Sequence, residues 1–184
     1  MKIEILGEYG YDFALRGIAL NKEQTGKDMT AVALKLSQAR EGSHRKFLRQ
    51  MCVWLEITAP IFWWTELDTY QIGATRNSGS TMHNLHKKNF EQSDFCQSIP
   101  YEMLISLQCA WDDFILGNMS IGDLKALIPS GYIQTSVVLV NYEALRTMIA
   151  DRKNHRLSEW RTFCDVILAG VEHPELLRAC PCGE

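Results

Sequence analysis

Residues 58–86 read TAPIFWWTELDTYQIGATRNSGSTMHNLH, and this stretch decides both the fold and the candidate site. Its aromatic opening reads as strand-like and passes through Glu66, Asp68 and Tyr70 into a loop of Arg76, Asn77, Ser78, Gly79, Ser80, Thr81 and His83. Hydroxyls, close-set backbone N–H groups and a forked guanidinium are the donors an anion requires, so the segment is expected to wall a phosphate-accepting site. The same composition also suits a polar surface loop whose Gly and Asn only make turns.

On the N-terminal side, Val53, Leu55 and Ile57 alternate with Cys52, Trp54, Glu56 and Thr58, the pattern of a half-buried strand that Pro60 ends. Lys2 to Leu6 alternates like another strand, and Gly7 to Gly17 fits a turn and an irregular link. Met29, Val32, Ala33 and Leu36 mark an amphipathic helix within Asp28 to Arg40, and Ser43 is placed to cap a short helix over His44 to Arg49.

On the C-terminal side, residues 87–99 form a polar connection, and Tyr101, Leu104, Ile105, Gln108, Trp111 and Ile115 recur at helical spacing. Met119 to Leu127 reads as a short helix, and Thr135 to Val140 as a buried strand or an entry to the next helix. From Asn141, Leu145, Met148 and Ile149 mark a buried face, and Arg152 lies two turns beyond Leu145 on that face. An inward guanidinium needs a carboxylate, carbonyls or an anionic ligand, because leaving it unpaired is costly. Glu66, Asp68 and Glu159 are the candidate carboxylates. A final helix carries Leu157, Trp160, Cys164, Ile167, Leu168 and Val171 inward, flanked by Glu159 and Arg161.

With 184 residues, 46% of them hydrophobic, the chain can bury the core of one domain. Its net charge of −3 provides no global basic field for nucleic-acid binding. No run approaches the roughly 20 apolar residues that span a bilayer, so a cytoplasmic protein without membrane contact is expected. Six irregularly spaced cysteines argue for reduced thiols, with Cys52, Cys109 and Cys164 buried and slow to react, and Cys180 and Cys182 in a frayed tail over 176–184. No metal site is expected: His83 and His86 lack a third ligand, and the tail supplies only two thiols.

These two constellations resemble the flavin-dependent thymidylate synthases. Ala59-Pro60-Ile61-Phe62 is similar to the entry to that family's signature. Ile128-Pro129, Asn141, Leu145, Arg152 and Glu159-Trp160-Arg161 follow the family's Leu-Pro, Asn-x-Arg, inward Arg and Glu-Ile-Arg order. Thr69-Tyr70-Gln71 stands where the family has Arg-His-Arg, Ser80-Thr81-Met82 where it has Ser-x-Arg, and Glu143 replaces the arginine of Asn-x-Arg. The resemblance implies one α/β domain of the α+β type, with a mainly antiparallel sheet flanked by helices. It further implies a homotetramer with shared sites, which the aromatic density from Trp54 to Trp64 would suit, and a deoxyuridylate-type pyrimidine nucleotide as ligand. Arg152 would then be the catalytic residue, and Glu66, Arg76, Ser80, Thr81, Arg152 and Arg161 would bind nucleotide. Tyr70, His83 and Asn141 would face an FAD cofactor. The reaction implied is C5 methylation or a related modification, and a non-catalytic nucleotide binder on the same fold is the alternative.

Overall fold

The structure, a computed structural model, describes residues 1–79 and 84–178. Four antiparallel strands, β1 (Lys2–Tyr9), β2 (Cys52–Pro60), β3 (Ala74–Ser78) and β4 (Ile133–Asn141), form one sheet in the order β1-β2-β4-β3. The alternation read in β2 sets the inward face: Val53, Leu55, Ile57 and Ala59 are buried beside Ser136 and Val138 of β4. The opposite face carries Trp54, 42% exposed and paired in register with Leu139. Of the two readings of Thr135 to Val140, a buried strand or an entry to the next helix, the strand is realised, and it joins β2 to β3.

Helices α1 (Tyr11–Asn21), α2 (Thr30–Ser37), α3 (Ile61–Leu67), α4 (Tyr101–Ile115), α5 (Ile121–Leu127), α6 (Tyr142–Arg152) and α7 (Ser158–Gly170) accompany the sheet. Short 3-10 turns cover Lys46–Gln50, Gln92–Asp94 and Pro174–Leu176. The link expected over Gly7 to Gly17 is instead the end of β1 and most of α1. Gly10 supplies the left-handed turn between them at φ 102°, which glycine adopts without steric cost.

The aromatic opening of the decisive stretch is a helix, not a strand. The backbone N–H groups of Ile61 and Phe62 donate to the carbonyls of Tyr132 and Ser130, which turns the chain out of the sheet after Pro60. Helical spacing then puts Trp63, Trp64 and Leu67 on one buried face. Trp63 packs on Trp160 with ring centroids 4.9 Å apart and on Phe163 at 5.6 Å. One chain thus buries Trp63 and Trp64, so these two need no partner subunit to cover them. A second correction follows: Arg76, Asn77 and Ser78 lie in the edge strand β3 rather than in a loop.

Between β3 and β4 the chain builds a separate small core of Leu85, Phe90, Phe95, Leu104, Leu107, Ala110 and Leu124. The buried face of α4 is rotated from the one expected: Leu104, Leu107 and Ala110 point inward, whereas Tyr101, Ile105 and Ile115 are exposed. The same rotation exposes Cys109, against the expectation of a buried thiol. Leu176 and Leu177, within the stretch expected to be tail, are buried in the main core. Cys164 is buried, and desolvation pushes its thiol up to about 11. Since the thiolate is the reacting species, Cys109 is expected to label well ahead of Cys164 with an aromatic disulfide reagent. Equal rates would contradict the placement of α7.

Candidate functional site

The end of α3, the turn after it, and the C-terminus of α6 meet at the Arg152 guanidinium. Glu66 Oε2 accepts from Arg152 at 2.8 Å and from Trp160 Nε1 at 2.8 Å. Arg152 Nε donates to the Tyr70 hydroxyl at 2.9 Å, and the terminal nitrogen that meets Glu66 also lies 2.9 Å from His155 Nε2. The charge sits over the Trp160 and Tyr70 rings, 5.0 and 5.6 Å from their centroids. Of the three carboxylates proposed from spacing, Glu66 is the partner, because α3 turns it toward α6 while Trp63 turns into the core. Burial pushes the Tyr70 phenol above its ordinary value, with the Arg152 hydrogen bond and charge pulling the other way.

The Thr69–Ile72 turn, carrying Tyr70, forms one wall of a cleft of about 410 Å³, completed by Arg49, Asn141, Glu143, Ala144 and Thr147. Its size lies within the range of small-ligand sites, roughly 300–1,000 Å³. Tyr70 and Asn141, expected together on sequence, do share this cleft. Asn141 is also the N-cap of α6, where its side chain accepts from the Ala144 N–H at 2.9 Å. Gly73 makes that approach possible: its φ is 87°, and an added Cβ would lie 2.4 Å from Asn141 Nδ2.

Arg76 lies on the other side of the same turn, paired with Asp68 at 2.9 Å and stacked on Trp64 at 4.7 Å. One of its terminal nitrogens is buried without a partner among the described residues. Arg161 donates to the backbone carbonyls of Arg156 and of His155, the residue whose ring meets Arg152. Ser80, Thr81 and His83 lie outside the described residues. Sequence reading missed Arg49, Thr69, Gln71 and Thr147 as cleft residues, as well as the His155 contact. Thr69 and Gln71 were marked by standing at the position of the family's Arg-His-Arg, and the Asn154-His155 turn between two amphipathic helices was visible, whereas Arg49 and Thr147 belong to no motif.

This is the fold of the flavin-dependent thymidylate synthases. The chain superposes on flavin-dependent thymidylate synthase ThyX from Helicobacter pylori complexed with FAD and dUMP, with a TM-score of 0.79 and 16% identity over 97% of this chain and 98% of that one. A second structure of the H. pylori enzyme with FAD and dUMP gives 0.77 and 15%, covering 97% of each chain. No family model matches the sequence, and no curated protein matches it.

FAD carries a diphosphate, which cationic side chains or backbone N–H groups can hold. In the cleft, Arg49 supplies a positive charge, whereas Glu143 contributes a carboxylate held by Arg45 at 3.0 Å. The described residues lining the cleft thus offer one arginine and a carboxylate already paired with a second arginine. Among the described residues, no helix is long and apolar enough to cross a membrane.

Proposed function

We propose that this chain binds a deoxyuridylate-type pyrimidine nucleotide at Arg152 and Tyr70, next to the cleft that Tyr70 walls, on a thymidylate synthase-like fold. The observation that carries the reading is the state of Arg152. Glu66, Tyr70 and His155 engage Nε and one terminal nitrogen, the second terminal nitrogen has no hydrogen-bond partner among the described residues, and 20% of the side chain stays accessible. A guanidinium so fixed can pair with uracil oxygens without having to be ordered first. Glu66 sets its orientation, and Tyr70 and Asn141 contribute hydrogen-bonding groups. Arg76, Ser80, Thr81 and Arg161 are assigned to the nucleotide phosphate and its approach, and His83 to the cofactor side.

The reaction class for such a site is C5 methylation or a related modification of the pyrimidine, with Arg152 stabilising charge that develops on the ring oxygens. Glu143 favours the second reading, a non-catalytic protein that senses or sequesters the nucleotide, because a carboxylate paired with Arg45 stands at the cleft where the family pattern has an arginine. The proposed assembly is a homotetramer and the proposed compartment the cytoplasm. The half-exposed Trp54 on the uncovered sheet face supports self-association in place of the buried tryptophans of α3.

Thermal denaturation with deoxyuridine monophosphate tests the reading, because a ligand at a hundred times its dissociation constant adds about 2.7 kcal/mol, a shift of several degrees. No shift at millimolar nucleotide would remove the proposal. Purified protein is expected to be colourless; a bound yellow flavin would reverse the choice between the two readings.

A further inference from the structure

Away from the cleft, the end of β1 meets the segment after α7 through Glu8, Glu172 and His173, each with a potential ligand atom within 4.8 Å of the other two. We propose that these residues bind a divalent first-row transition ion, of which zinc is the probe. Two carboxylate oxygens and one imidazole nitrogen form a mixed set suited to such ions, and distinct from the all-oxygen cages of calcium and magnesium. An ion bound at about 2.0–2.2 Å draws its ligand atoms to roughly 3–4 Å apart, a closure within reach of side-chain rotation.

Glu8 and His173 are already oriented by neighbours, and the exposed Glu172 side chain is free to turn toward them. The buried Tyr142 hydroxyl donates to Glu8 Oε1, and the Glu172 backbone N–H donates to Glu8 Oε2 at 2.7 Å. The His173 ring is stacked on Tyr11, with centroids 3.6 Å apart and planes inclined by 18°. Its Nδ1 lies 3.5 Å from Glu175 Oε1, so ligation through Nε2 would keep that contact. A carboxylate on the far nitrogen of a ligating histidine fixes its tautomer and ring direction. Three carboxylates surround a single imidazole here, so a cation relieves their repulsion. The bound ion would tie the segment after α7 to β1.

The test is calorimetric titration of zinc into the metal-free full chain carrying Cys180→Ser and Cys182→Ser, which removes competing thiols. Uptake of one ion with a raised melting temperature is expected. His173→Phe keeps the stack on Tyr11, and Glu172→Gln alters an exposed side chain, so both should fold. Each is expected to weaken uptake at least tenfold. Absence of saturable uptake by the parent chain, or full affinity retained in either variant, would overturn the proposal.

Discussion

Trp160→Ala is expected to lower the unfolding free energy by about 3–5 kcal/mol, the usual cost of deleting a large buried aromatic side chain. Trp160 is fully buried, packs on Trp63, Phe163 and Tyr70, and donates to Glu66. The change therefore opens a cavity and removes a hydrogen bond that positions the Arg152 partner. Trp160→Phe keeps much of the volume and loses the N–H, so about 1–3 kcal/mol is expected from the donor removed from Glu66 and the lost ring area. Urea unfolding measures both. A loss under 1 kcal/mol for the alanine variant would mean that α7 does not pack on α3 as described.

The second large effect falls on Gly73. Alanine there would have to hold a positive φ, which costs a non-glycine residue about 1–3 kcal/mol. Its Cβ would also displace Asn141 from the Ala144 N–H, and losing such a cap costs about 0.5–2 kcal/mol. A combined loss of about 2–4 kcal/mol is expected, with weaker nucleotide binding because both Asn141 and the Tyr70 turn must shift. Gly26→Ala is the control: its φ is also positive, at 85°, but an added Cβ meets nothing within 4 Å. That variant isolates the backbone cost. Equal destabilisation of the two variants would show that the approach to Asn141 contributes nothing.

Much of the sheet was legible because β2 alternates so regularly, and the face of α6 because Leu145, Met148, Ile149 and Arg152 share one side. Ile61 to Trp64 misled because four consecutive apolar residues carry no period, and bulky aromatics favour strands. What overrides that preference is tertiary: a turn imposed by the carbonyls of Tyr132 and Ser130, then burial against Trp160 and Phe163. Gly7 to Gly17 misled because glycine and aspartate suggest loops, whereas only Gly10 is used as a turn. In α4, apolar residues occupy nearly every side, so spacing alone could not select the face that Leu107 and Ala110 bury.

For the site, the inward direction of Arg152 followed from helix geometry, and its partner was among the three carboxylates named. Which carboxylate could not be read, because the choice depends on α3 being helical. The Arg45–Glu143 pair was equally hidden, since it joins residues 98 positions apart. Glu143 could be recognised as a departure from the family pattern, but not as a carboxylate already neutralised.

The most direct test of the central claim is calorimetric titration of deoxyuridine monophosphate into the wild-type chain and Arg152→Lys. Lysine keeps the charge but loses the planar fork that reaches Tyr70 and Glu66 together. Saturable binding by the wild type is predicted, weakened in the variant by about 1–3 kcal/mol, with a modest fall in melting temperature from the lost contacts. Binding of equal strength in both chains, alongside a lowered melting temperature, would contradict the account and make Arg152 a structural ion-pair residue.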